Sequence, residues 1–410
     1  MDASSPKPPA EIAAPRVSTA ALLALLMAMT AIGPLSLNIL VPATPGLVAT
    51  LDTDPATVQL TVSLYLLGLA VSQLALGPLS DRFGRRPVVI TGLLLTVVTS
   101  FAALFASSIT GLIVARAFQS FGASTGIVIG RAIIRDLYDR ERAASMIGWV
   151  ATMMVVAPMI SPLIGGLLDT AFGWETTFIF VGVWALLVLI WAYVKLPETR
   201  PDHVTGGGLS YLAGEASALL QSRAFNAYVL AATLGSATFF AFLGGSPHVT
   251  IGLMGESSAS YGAWFILTAF GYMMGNLAAA KLSPRFGVDT MIRAGLGFEL
   301  FGTILTIVIV WLFPLGGPAT IFLPQFFVSF GNGVLLPNSI AGAVSIRPQA
   351  AGTASGLIGF TQMAVGAVAA QVTSWIVSLS LTAMPMSVTI GLISVAAMSG
   401  FMWLMREANS

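Results

Sequence analysis

No cysteine occurs among the 410 residues, which excludes disulfides, iron–sulfur clusters and thiol catalysis. Histidine is nearly absent as well. His203 and His248 stand alone, and two isolated imidazoles cannot assemble a metal centre or an intramembrane catalytic site. No GxxxxGK[ST] phosphate loop is present, so the chain lacks the usual means of hydrolysing ATP. The scarcity that decides the fold class is charge: Asp, Glu, Lys and Arg make up 9% of the residues while 56% are hydrophobic, against roughly 25% charge in soluble domains. So little polar surface cannot enclose a fold in water. The chain is expected to be an integral membrane protein whose partner is lipid, with no metal and no cofactor. A net charge of +1 gives no basis for a nucleic-acid partner.

What fills the chain is a series of apolar runs of about 20 residues, the length a helix needs to cross the roughly 30 Å hydrocarbon core. The runs predict helices near 17–41, 57–79, 87–106, 109–134, 143–168 and 174–196, then 224–250, 259–282, 288–312, 317–341, 350–377 and 383–405. The expected organisation is a disordered tail over 1–16, a six-helix bundle over 17–196, a linker over 197–223 with an amphipathic segment on the membrane surface, a second bundle over 224–405 and a short tail over 406–410. Basic residues sort to one side of this arrangement, including Arg82, Arg85, Arg86, Arg135, Lys281, Arg285 and Arg347, whereas the opposite loops carry only acids such as Asp52, Asp54, Asp169, Glu175 and Glu256. Short loops rich in Lys and Arg stay cytoplasmic, so both termini are expected there. The halves also repeat: "LSDRFG" at 79–84 returns as "LSPRFG" at 282–287, and "FQSFG" at 118–122 as "FVSFG" at 327–331. Two like halves of parallel topology are the build of a transporter with its site between them.

Charge concentrates in "GPLSDRFGRRP" at 77–87. Gly77 and Gly84 permit close packing, and Pro87 suits the first turn of the next helix. Arg85 and Arg86 read chiefly as anchors at anionic headgroups, with Arg82 between that role and the acid beside it. Asp81 gains nothing from such a surface and stands out as a switch residue. Arg116 lies deep in helix 4, where exposure to lipid would cost at least about 2.5–3.5 kcal/mol. It therefore faces the interior, either bonded to carbonyls of helix 1 or 2, or sensing charge in a cavity together with Gln119. Helix 5 carries Pro158, Ser161, Pro162, Gly165 and Gly166, a set suited to bending and close helix contact. Glu299 in helix 9 is the remaining acid within a span, either a proton carrier or an acid that pairs locally or sits at a wet position. Asn38, Tyr65, Gln73, Met153, Met154, Phe239, Phe240, Gln325 and Asn332 offer hydrogen bonds and adaptable apolar surface to a ligand.

On these residues the chain resembles the major facilitator superfamily. "GPLSDRFGRRP" is similar to the superfamily's loop motif, "RAFQSFGASTG" at 116–126 to its helix 4 motif, and "APMISPLIGG" at 157–166 to the helix 5 antiporter motif. The form APxxSPxxGG, with "GRAIIRDLYDRERA" at 130–143, resembles the bicyclomycin and chloramphenicol resistance branch (Bcr/CflA). The resemblance implies an all-α membrane protein of twelve helices in two pseudo-symmetric bundles. It implies proton-driven export of drugs or other amphipathic small molecules from a bacterial inner membrane, by a monomer that is not an enzyme. It also implies that Asp81 and Arg82 join a cytoplasmic gate with Gly77, Gly84, Arg85, Arg86, Arg135 and Asp136, latched against the start of helix 11. Pro284 replaces the acid in the second copy, so the latch is expected on one half only. Asn38 stands where related exporters usually carry an acid, which leaves the proton carrier open and keeps an uncoupled facilitator or a metabolite exporter as alternatives.

Overall fold

The computed structural model describes residues 18–200, 209–314 and 316–408. The expected tail over 1–16 and the Gly-rich part of the linker, His203 included, lie outside them. Among the described residues twelve helices are long and apolar enough to cross a membrane: α1 Thr19–Thr50, α2 Pro55–Phe83, α3 Arg85–Ala103, α4 Ile109–Leu137, α5 Ser145–Phe172, α6 Glu175–Lys195, α7 Arg223–Leu253, α8 Ser258–Phe286, α9 Val288–Leu312, α10 Ala319–Ile346, α11 Ala351–Ser378 and α12 Met384–Ala408.

The first span is longer than the apolar run suggests. It passes through a tight turn at Val41–Ala43 and resumes over Thr44–Thr50. Pro42 and Pro45 each fall in a first turn, where a missing N–H is no loss. The charged loop after helix 2 is shorter than expected, because α2 continues through Asp81 and Arg82 to Phe83 and the loop is a single residue. Gly84 turns the chain at φ 98° and Gly287 makes the same turn at φ 80° in the second half. An L side chain rarely adopts that backbone, so both repeats need glycine there. The expected amphipathic segment is a helix over Leu209–Leu220. It buries Leu219 in one cluster with Phe225 and Ala354, at the ends of α7 and α11 on the face of the termini.

The two halves meet where α2 packs on α11 and α5 on α8. At the face remote from the termini this seam is closely made. Ser63 donates to Gln371 Oε1 at 2.9 Å, and Gln371 Nε2 donates to the Ala56 carbonyl at 2.8 Å. The Ser258 hydroxyl lies 2.6 Å from Asp169 Oδ2 and 3.1 Å from the Pro42 carbonyl, and the Ala259 N–H donates to Thr170 Oγ1 at 3.0 Å. Backbones touch through glycine: a Cβ at Gly166 would strike the Ser258 carbonyl, and one at Gly262 would meet the Pro162 carbonyl at 2.5 Å. Toward the termini the seam ends where Gln73 abuts Gly359. Beyond that level a side chain at Gly77, Gly352 or Gly356 would meet nothing. Among the described residues no recorded hydrogen bond or ion pair crosses between the halves there. Among the described residues, the recorded polar contacts between the halves all gather toward the face remote from the termini.

Paired cysteines at Ser63 and Gln371 are expected to be bridged by a short bifunctional thiol reagent, which spans the length of the lost glutamine side chain, with no background from a chain that has no cysteine of its own. Gel mobility with and without the reagent checks this. Failure to cross-link without substrate would contradict the closed seam.

Candidate functional site

The polar residues expected to line a cavity fall into two clusters, one in each half. In the first half Arg116 is 1% exposed. Its Nη1 donates to the Ser36 carbonyl at 2.9 Å and to Gln119 Oε1 at 2.6 Å, and its Nε reaches the Thr61 carbonyl at 3.3 Å. The guanidinium lies 4.1 Å from the centre of the Tyr65 ring, and Gln119 donates onward to Ser100. Both features named for this arginine are present, the carbonyl bonds and the bond to Gln119, and its Nη2 is buried without a partner. Arg116 pins α1, α2 and α4 together, and because it is desolvated, removing it would strand several buried acceptors. Tyr65 is equally buried, its hydroxyl donating to the Gly33 carbonyl. Asn38 donates to the Pro34 carbonyl at 2.8 Å and leaves Oδ1 buried without a partner.

Helix α5 runs unbroken through Pro158 and Pro162. Each proline removes one helical N–H, and Ser161 bonds back to the Ala157 carbonyl. The two glycines do different things: Gly165 admits the Ile39 carbonyl of α1, within its own half, while Gly166 makes the contact across the seam. Met154 receives the Arg131 guanidinium on its sulfur at 3.2 Å, and Met153 is half-buried beside it. In the second half Phe239 packs edge-on against Phe240 and Phe265, and Phe240 fills the space at Gly366 of α11. Asn332 donates to Thr238 Oγ1 at 3.0 Å, and Gln325 is buried with Nε2 unpartnered.

The gate residues form a network that inverts the division suggested by sequence. Arg85 is its buried hub and not a headgroup anchor: Nη1 is 2.5 Å from Asp81 Oδ1 and 2.6 Å from Ser80 Oγ, while Nε donates to Asp136 Oδ2 at 2.9 Å. Arg82, expected beside Asp81, is exposed over the Phe83 ring. Arg86 stacks on Tyr193 and donates to its carbonyl, and Arg135 is exposed. Asp81 sits in the last turn of α2, where the helix dipole disfavours an anion, and Arg85 four residues on supplies the compensating charge. All these contacts lie within the first half and its linker. Among the described residues none of the three ion pairs joins the two halves.

Sequence reasoning missed Glu198. Its carboxylate accepts the backbone N–H groups of Arg85 at 2.9 Å and Arg86 at 3.2 Å, capping α3, and also those of Thr199 and Arg200. A Cβ at Gly84 would lie 2.6 Å from Glu198 Oε2, so glycine is required there twice over. Burial works against the charged form of Glu198, but these four donors outweigh it and hold the carboxyl below its ordinary value of 4.5. The signal was an acid beside the "GRR" turn only in space, a hundred residues away in the chain.

Twelve apolar helices in two like halves, joined through α2 on α11 and α5 on α8, have the build of a membrane transporter. The chain belongs to the Major Facilitator Superfamily, whose family model matches residues 26–370. It is 32% identical over 341 residues to multidrug resistance protein D of Escherichia coli (strain K12), covering 83% of this chain and 85% of that protein. It is 31% identical to a chloramphenicol resistance protein of Pseudomonas aeruginosa, covering 82% and 77%. The fold is similar to the crystal structure of a bacterial homologue of the human lysosomal transporter Spinster, with a TM-score of 0.72 at 16% identity, covering 95% of this chain and 98% of that one.

The network makes two predictions. The Asp136 side chain is 11% exposed and that of Asp81 38%. Asp136→Ala is therefore expected to destabilise by about 2–4 kcal/mol, since it leaves Arg85 partly unpaired in a buried site, and Asp81→Ala by no more than about 1 kcal/mol. The apparent Tm from tryptophan fluorescence gives the order. Because the folded state lowers the Glu198 pKa, its cap is at full strength above pH 4.5 and is lost as pH falls through the lowered value. Hydrogen exchange at the Arg85 and Arg86 amides is thus expected to quicken, relative to neighbouring amides, below that range and in Glu198→Gln at neutral pH.

Proposed function

We propose that this protein exports drugs and other amphipathic small molecules across a bacterial inner membrane by proton antiport. Its termini lie in the cytoplasm and it works as a monomer. The observation that carries the reading is the one-sided seam between two like halves, in a chain whose relatives bear the names of drug-resistance proteins. A face closed by a few hydroxyl, amide and glycine contacts and a face held open are one member of a rocking pair of states. Basic residues crowd the open face, which fits its assignment to the cytoplasm. Phe239, Phe240, Met153 and Met154 suit ligands of varied shape, since aromatic and thioether side chains adapt without demanding directional partners.

Asp81, Arg85 and Asp136 serve as the gate. In the state described their charges are satisfied within one half, which leaves the open face free of cross-links. Closure would bring α11 toward the end of α2. Asn38 favours a second reading, an uncoupled facilitator, because an amide cannot carry a proton.

Transport by purified protein in liposomes separates the two. With an acidic lumen and the membrane potential held at zero, chloramphenicol or tetraphenylphosphonium is expected to accumulate, toward a limit of about tenfold per pH unit for each proton exchanged. Flux indifferent to the gradient would contradict antiport and leave the facilitator.

A further inference from the structure

One acid in the second half has no role in the account so far. Glu299 of α9 is 0% exposed, and neither of its carboxyl oxygens has a hydrogen-bond partner. Its place is made by two glycines. A Cβ at Gly235 of α7 would lie 3.1 Å from Glu299 Oε1, and a Cβ at Gly331 of α10 would lie 2.9 Å from its Cγ. An ionised carboxylate so placed needs a compensating cation, and among the described residues no ion pair to it is recorded. Helix α10 contains no titratable residue. The titratable residues of the other helices packed on α9 are Arg223, Tyr228 and His248 on α7, Tyr261, Tyr272, Lys281 and Arg285 on α8, and Arg406 and Glu407 on α12; Asp289 and Arg293 lie on α9 itself. None is recorded in contact with Glu299.

The surroundings are polar without being charged. Asn332, next to Gly331, donates to Thr238 Oγ1, which donates to the Gly235 carbonyl at 2.7 Å. Asn332 Oδ1 remains unpartnered, as do Gln325 Nε2, Ser329 Oγ and Ser339 Oγ along the same helix. Buried polar atoms left over by the protein are sites for water, and these four share one face of α10, at spacings of four, three and seven residues, which makes a polar track along the helix. On the other side of the same α7 segment, Gln362 of α11 donates to Ser236 Oγ at 2.8 Å and Thr233 donates to Thr361 at 2.9 Å. Helix α11 is the one that crosses the seam through Gln371.

We infer that Glu299 is the proton-binding site of the transporter, reached along the polar track of α10 and linked through α7 to α11 and the seam. The inference rests on the antiport reading and supplies the carrier that Asn38 cannot be. Loss of the proton leaves an uncompensated charge between α7, α9 and α10, against Gly235 and Gly331, which water entering there must solvate. That repacks the α7 segment which also holds α11.

The experiment compares wild type, Glu299→Gln and Glu299→Asp in liposomes, with chloramphenicol and tetraphenylphosphonium as probes, and measures both gradient-driven accumulation and gradient-free exchange. Glu299→Gln is expected to lose gradient-driven accumulation while exchange stays within about threefold of wild type, and Glu299→Asp to restore part of the accumulation. A Glu299→Gln variant that still accumulates probe overturns the assignment and leaves antiport standing. Wild type that ignores the gradient overturns antiport and the coupling role together. A measurement on wild type alone needs neither a folded variant nor a transported probe: dicyclohexylcarbodiimide, which attacks protonated carboxyls in apolar surroundings, is expected to label Glu299, with labelling that declines as pH rises. No adduct at Glu299 from acid to alkaline pH overturns the assignment.

Discussion

Helices already in lipid gain nothing from the hydrophobic effect when they associate, so two membrane-embedded halves are held by close packing and a few polar contacts. The rest of this structure follows from that constraint. The seam is built from Gly166 and Gly262, which bring backbones together, and from the clasps Ser63–Gln371 and Asp169–Ser258. Such contacts contribute about 0.6 kcal/mol each on average in membrane proteins. A seam of this strength holds one face shut and can still be exchanged for another. A purely apolar interface would have no reason to choose one face.

Within a half the same constraint works the other way. Arg116 and Arg85 are desolvated, and both are fastened by several partners at once. They stiffen the first half so that motion is left to the seam. Among its described residues the second half has no buried arginine and no recorded ion pair like that of Arg85. At the position equivalent to Asp81 stands Pro284, and its interior polarity is carried by Asn332, Gln325 and Glu299. The duplication has thus diverged into a half that is pinned by charge and a half whose core contains a lone carboxyl.

The architecture was legible because it depends on the length and spacing of apolar runs, which membrane thickness fixes. The duplication was legible in "LSDRFG" and "LSPRFG", and the matching turns at Gly84 and Gly287 show why glycine recurs. Partner choice was less so. Asp81 was paired with the adjacent Arg82, but on a helix that continues to Phe83 adjacent residues do not face each other, whereas the turn at Gly84 brings Arg85, the first residue of α3, back onto Asp81. Glu198 could not be found by spacing at all, since its partners are backbone amides freed by the end of one helix and the start of the next. The roles of Arg116 and Tyr65 hinged on which way they face, and that depends on where α1 and α2 lie.

The central claim is that opening at the terminal face and closure at the other are two ends of one motion. Paired spin labels test it most directly, one pair at Gly77 and Gly352 on the open face and one at Thr50 and Leu381 on the closed face, with distance distributions measured by electron–electron resonance as pH and chloramphenicol are varied. The account predicts that conditions which shorten the first distance lengthen the second. Distances that change together, or a closed-face distance that never lengthens, would contradict it.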